Sequence, residues 1–161
     1  MQKTSYGALI SHLVLLALAV FLFISMIFYS PADIPHNAYP ANYVVRNPGG
    51  MVGAYTADVL FKGFGRGAYL LPLLMLVWFA GAFVEKQAQH LFVKLSATAV
   101  LLVSASSFLY LNNPHTPADK FSNGGIAGMY CAHLIGNYFG IAGSYIIILL
   151  VFALSIVIAT E

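Results

Sequence analysis

Charge is what this sequence has least of. Only 7% of its 161 residues are Asp, Glu, Lys or Arg, seven basic and five acidic, for a formal net charge of +2. A soluble domain carries about 25% charged residues, so this composition excludes a soluble globular fold. Disorder is excluded too, because 60% of the residues are apolar and the mean hydropathy is +0.84. Cysteine is nearly absent: Cys131 stands alone, which rules out a disulfide-stapled secreted scaffold. Also missing are a Walker A sequence, a dinucleotide fingerprint and any basic cluster suited to DNA. The composition that remains is that of a polytopic membrane protein with the lipid bilayer as its solvent.

The few charges mark the topology. Nothing ionisable except histidine lies between Lys3 and Asp33, Arg66 and Glu85, Lys94 and Asp119, or Lys120 and Glu161. A hydrocarbon core about 30 Å thick takes roughly 20 apolar helical residues, since every backbone polar group must pair internally. Four segments qualify: Leu9–Tyr29, Ala68–Val84, Leu91–Leu111 and Ile141–Ala159. The third carries Ser96, Thr98, Ser104, Ser106 and Ser107, hydroxyls that bond back to their own helix or across to a neighbour. The first is too long for a signal-peptide apolar core and lacks a small-x-small cleavage site after it, so it is expected to stay attached. The short Glu85–His90 turn, bracketed by Lys86 and Lys94, reads as cytoplasmic by the positive-inside rule, and both termini with it.

The two long connections, 30–67 and 112–140, are expected on the outer side. Each opens with proline-rich, turn-forming chain (Ser30-Pro31-Ala32-Asp33-Ile34-Pro35; Asn112-Asn113-Pro114-His115-Thr116-Pro117-Ala118-Asp119), which stops the preceding span. Each then turns glycine-rich, and the sequence repeats. One constant offset superimposes Gly49, Gly50, Gly53, Tyr55, Ala57, Phe64 and Gly65 on Gly124, Gly125, Gly128, Tyr130, Ala132, Phe139 and Gly140, seven identities within positions 49–65. The chain reads as an all-α membrane protein of four transmembrane helices. These form two parallel-repeat hairpins, about 1–84 and 90–161, within one membrane domain spanning 1–161. Each outer loop is expected to hold a short amphipathic helix. One face is Gly50, Gly53, Ala57, Leu60, Phe64, or Gly125, Gly128, Ala132, Ile135, Phe139; the other is polar, Tyr55, Asp58, Lys62, or Tyr130, His133, Asn137. The small residues let backbones approach closely, and the glycines of Gly63-Phe64-Gly65 and Gly140 are expected to terminate these helices.

No catalytic constellation is visible. The five histidines (12, 36, 90, 115 and 133) show no H-x-x-x-H or H-E-x-x-H spacing, so no metal site and no cofactor are expected. Cys131 reads as a small buried residue. Gly143-Ser144 follows His133 without the context a serine nucleophile requires. The competing functional class is a small channel or transporter using the glycine-rich segments as re-entrant helices, which needs polar chain at membrane depth. Apart from Lys94 near the start of the third span, His12 is the one acidic or basic side chain inside a span.

Residues 29–35 (YSPADIP), 47–60 (NPGGMVGAYTADVL) and 64–72 (FGRGAYLLP) resemble stretches of the membrane region of the FtsK/SpoIIIE DNA translocase family. Tyr29-Ser30-Pro31-Ala32-Asp33-Ile34-Pro35 is similar to its S-Y-S-P-x-D-P stretch. Asn47-Pro48-Gly49-Gly50-Met51-Val52-Gly53-Ala54-Tyr55-Thr56-Ala57-Asp58-Val59-Leu60 resembles N-x-x-G-x-x-G-A-x-x-A-D-x-L. Phe64-Gly65-Arg66-Gly67-Ala68-Tyr69-Leu70-Leu71-Pro72 resembles F-G-x-x-A-x-L-L-P, and the glycines at 124, 125, 128, 140 and 143 resemble those of the second half.

The resemblance implies a non-enzymatic inner-membrane anchor acting in cell division and chromosome partition, directed to the septum, with both termini cytoplasmic. Its implied partners are copies of itself and division-site membrane proteins; DNA and ATP belong to a motor domain that these residues do not encode. The residues expected to set its shape are Pro31, Asp33, Gly49, Gly50, Gly53, Ala57, Asp58, Gly65, Pro72, Gly124, Gly125, Gly128, Ala132 and Gly140.

Overall fold

A computed structural model describes residues 6–40, 42–81, 91–112 and 116–160. Among them every regular element is helical: α1 (Tyr6–Ile27), a 3-10 turn (Pro31–Asp33), α2 (Gly50–Phe64), a 3-10 segment (Gly65–Tyr69), α3 (Leu70–Gly81), α4 (Leu91–Leu111) and α5 (Pro117–Thr160). Four stretches are long and apolar enough to cross a membrane: Leu9–Ile27, Gly50–Gly81, Phe92–Leu111 and Pro117–Thr160. The chain divides into two units interleaved in sequence, Met1–Ala57 with Leu71–Gln89, and Asp58–Leu70 with His90–Glu161.

In the first unit, α1 rises about 33 Å over 22 residues. It ends before Pro31, which occupies the first position of the 3-10 turn, where its missing N–H costs nothing. A loop then leads into α2. The expected second span begins at Ala68, but the α-helical backbone of α3 starts at Leu70. Gly65 adopts φ +57° and the chain runs in 3-10 form to Tyr69 first. Residues 82–84 of that expected span, and the Glu85–His90 turn, lie outside the described residues.

In the second unit α4 packs along α5. It buries Ala97, Leu101, Leu102 and Ala105 together with Thr98, Ser104, Ser106 and Ser107. Three of these hydroxyls bond back to their own helix: Thr98 to the Lys94 carbonyl, Ser104 to Leu101 and Ser107 to Val103. Such back-bonding lets a polar side chain sit in an apolar interior without a lost hydrogen bond. The loop after α4 is shorter than the sequence implies, because Pro117-Ala118-Asp119 is already helical. Thr116 and Asp119 form a reciprocal cap: the Thr116 N–H donates to Asp119 Oδ2 (3.2 Å), and the Asp119 N–H donates to Thr116 Oγ1 (3.2 Å). Proline at the first helical position completes a start signal that outweighs its turn-forming character.

The stretch Pro117–Thr160 is broken at two glycines. Gly125 (φ 62°, ψ −170°) and Gly140 (φ 67°, ψ −177°) leave helical geometry, giving segments 117–124, 126–139 and 141–160. Four glycines have positive φ: Gly50, Gly65, Gly125 and Gly140. They fall into two pairs, 50 with 125 and 65 with 140, each pair matched by the internal repeat.

Candidate functional site: a polar hub and two glycine seats

The loop after α1 is organised by one carboxylate. Asp33 is 2% exposed. It accepts from the Asn42 side-chain amide (2.7 Å), the Arg46 N–H (3.1 Å) and the Asn47 N–H (3.0 Å). Burial pushes its pKa up, but these three donors and the Arg46 charge outweigh it and hold the carboxyl below the usual aspartate value. Asn47, also buried, extends the network. Its Nδ2 donates to the Ser25 carbonyl at the end of α1 (2.8 Å), while its Oδ1 accepts from the Gly49 N–H (2.9 Å) at the entry to α2. One asparagine therefore ties the exit of α1 to the entry of α2. Nothing in the hub is arranged for acid–base chemistry, since every acceptor faces an amide.

The first glycine seat adjoins the hub. A methyl group on either Gly49 or Gly53 would stand 2.7 Å from Ser25 Oγ, and one on Gly53 also 2.6 Å from Asn47 Oδ1. Ser25 is wholly buried, and its Oγ has no hydrogen-bond partner among the described residues. The hydroxyl fills the space that two missing side chains leave.

The second seat lies in the other unit and is tighter. Gly128 rests on the backbone of Ser106; a methyl there would meet the Ser106 carbonyl carbon at 2.6 Å. Gly124 sits over Tyr110 Cβ, where a methyl would approach to 2.5 Å. Gly65 faces Asn123 and Gly124, and Gly125 faces Gly63 and Gly65, with backbone atoms inside 3 Å of any added methyl. Ser106 Oγ donates to the Phe64 carbonyl (2.8 Å), one of the four acceptors left open at the end of α2. Gly67 covers the same hydroxyl.

The other sequence-selected residues are dispersed. Pro31 is exposed at the start of its turn; Ala57, Pro72 and Ala132 are buried. Gly50 and Gly140 have positive φ, but among the described residues nothing lies within 4 Å of an added methyl. Asp58, which the helical pattern assigns to an exposed polar stripe, is instead 4% exposed and bound to Lys62 Nζ at 2.7 Å. The buried face of α2 is wider than a strict small-residue stripe: Gly53, Ala54, Ala57 and Asp58 are all covered. Lys62 carries the charge outward. The aligned stripe in α5 behaves as expected, with Tyr130, His133 and Asn137 exposed. Sequence reasoning does not single out Asn47, Asn42, Ser25 or Ser106. Asn47 alone has a readable signal, an asparagine two residues before a glycine at a helix entry, which is the spacing of a side-chain-capped turn.

His133 and Ser144 each have a partner of their own. His133 Nε2 lies 3.0 Å from the Tyr110 hydroxyl, and Ser144 Oγ donates to the Gly140 carbonyl (2.6 Å). Serine and histidine thus serve separate partners. Among the described residues no three His, Cys, Asp or Glu side chains gather as a metal site; His36 stacks near Tyr55 (5.8 Å), and His115 lies outside the described residues. A groove of about 310 Å³ between α4 and α5 is lined by Val100, Val103, Ser104, Cys131, Ile135 and Ile148, among others. The Ser104 hydroxyl there already bonds to its own helix, so the lining offers an ion little to coordinate.

Compared with known families, residues 8–161 match the 4TM region of DNA translocase FtsK/SpoIIIE. The chain belongs to that family. It is 31% identical to the DNA translocase FtsK of Pseudomonas putida over 152 residues, 90% of this chain and 18% of that protein. The FtsK of Shewanella oneidensis is 28% identical over 159 residues, 92% of this chain and 16% of its own length. That of Azospirillum brasilense is 41% identical over 63 residues, 38% and 10% respectively. The chain therefore spans under a fifth of the length of these relatives. No solved structure matches it. As a member of the FtsK/SpoIIIE membrane region, with four apolar helices of spanning length, it is a multi-pass inner-membrane protein.

Proposed function

We propose that this chain is the membrane anchor of a DNA translocase that works at cell division, holding a cytoplasmic ATP-driven motor at the septum. The observation that carries this reading is the match of residues 8–161 to the membrane region of the FtsK/SpoIIIE translocases. The polar inventory supports it. The hub around Asp33 and Asn47 and the hydroxyls of α4 are committed to backbone groups within the fold. A chain whose polar groups are spent this way holds shape and position.

In this reading the chain is two parallel repeats. The positive-φ glycines that pair through the repeat support that, as does the seating of Gly49 and Gly53 on Ser25, and of Gly124 and Gly128 on Ser106. The helices 50–64 and 126–139 lie at the outer surface, both termini are cytoplasmic, and copies of the chain assemble with one another and with division-site membrane proteins. Residues 1–161 fused to a fluorescent protein test this in dividing cells. The expected result is a midcell band in constricting cells, and a Gly128→Leu variant should lose it. Even envelope labelling by the unaltered fusion would refute the anchor role.

A further inference from the structure

The four positive-φ glycines are not used equally. Gly65 closes α2 and Gly125 opens the 126–139 segment; both are buried, and their backbones meet. In the repeat alignment Gly65 corresponds to Gly140, and Gly125 to Gly50. The end of the first repeated helix thus docks on the start of the second. The start of the first, Gly50, and the end of the second, Gly140, carry the same backbone twist, and among the described residues nothing beyond their own chain neighbours lies within 4 Å of an added methyl. Their neighbours are exposed and apolar: Met51 and Val52 at one end, Tyr138, Phe139 and Ile141 at the other.

From this we infer that Gly140 of one copy docks on Gly50 of a second copy of this chain, repeating between molecules the contact that Gly65 makes with Gly125 inside one. Two parallel repeats are related by an operation that brings the end of one helix to the start of the next. Applied once more, it brings residues 138–141 to residues 48–51 of another molecule. Such a contact joins different patches of the two partners. It is heterologous, and it propagates head to tail as a closed ring or an open chain. A second copy is the occupant that the geometry specifies, because the surface each end needs already exists on the other end of the same sequence. The inference rests on the repeat and self-assembly reading above, and the test separates the two.

In a Cys131→Ala background, Met51→Cys and Ile141→Cys variants with different tags are co-expressed, and their membranes are treated with a short bis-maleimide. The expected product is a mixed dimer containing both tags, with at least a tenfold lower yield of dimer from either variant alone. The double variant should give a ladder, and Tyr43→Cys, an exposed loop position, paired with Ile141→Cys should give none. Single-step photobleaching of the uncrosslinked chain in lipid nanodiscs counts copies. More than one copy without the 51–141 product overturns this interface and leaves assembly standing. One copy per disc overturns both. Dimers from a single variant alone would mean a like-to-like contact and would also overturn the head-to-tail arrangement.

Discussion

Replacing Asp33 with alanine should open the loop that leads into α2. The carboxylate accepts two backbone N–H groups, from Arg46 and Asn47, at 3.1 and 3.0 Å, and one side-chain amide at 2.7 Å. Hydrogen bonds to a charged group contribute about 1.5–3 kcal/mol each, and a buried donor left without an acceptor carries its own desolvation cost. Asn42 can turn to water, so the two backbone bonds set the scale, about 3 kcal/mol at the low end. At about 1.4 kcal/mol per factor of ten, that is on the order of a hundredfold more frequent opening. Hydrogen exchange by mass spectrometry on peptides covering 42–50, in detergent or nanodiscs, reads this directly. The Arg46 and Asn47 amides should exchange on the order of a hundredfold faster in Asp33→Ala, with peptides from α4 unchanged. Exchange within threefold of the unaltered chain would refute the claim that Asp33 organises the loop.

Two further outcomes follow from the same geometry. The Asp33 pKa is lowered in the fold, so its contribution is fully present above the unfolded value of about 3.9 and disappears as pH falls through the lower folded value. Protection of the 42–50 peptides, corrected for intrinsic rates, should stay flat from pH 7 to about 4.5 and fall only at or below the ordinary aspartate range; loss near pH 6 would contradict it. Ser106→Ala removes the donor to the Phe64 carbonyl and should cost about 1 kcal/mol, a fall of about 2–4 °C in Tm for a chain of this size, whereas an unchanged melt would show that the bond contributes nothing.

Much of the architecture is legible because the bilayer imposes simple rules. Gaps between charges locate the apolar spans, and proline marks where α1 stops. The internal repeat anticipates Gly65 and Gly140 as helix ends, and both have positive φ. What escapes a sequence reading is side-chain bonding over distance. Ser106 reads as one hydroxyl among five in α4, and only the fold shows that it reaches across to Phe64. Asp58 falls on the wrong side of the helix in that reading because i, i+4 pairing with Lys62 says nothing about which partner faces outward. Its neighbours Ala54 and Ala57 are fully buried, and position 58 turns inward with them. Pro117 reads as a loop signal because proline breaks and begins helices alike, and the Thr116–Asp119 cap decides which.

Missing side chains hold this membrane module together, and a pair of glycine substitutions tests that by sign. Intrinsic helix propensity favours alanine over glycine by about 0.5–1 kcal/mol in a helix interior. Gly63, with nothing among the described residues within 4 Å of an added methyl, should follow that rule, and Gly63→Ala should melt at or above the temperature of the unaltered chain. Gly128 lies on the Ser106 backbone, where overpacking costs about 1–3 kcal/mol, and Gly128→Ala should melt several degrees lower. The measurement is thermal melting of both variants in the same detergent. Opposite shifts are predicted; a Gly128→Ala protein as stable as Gly63→Ala would contradict the account.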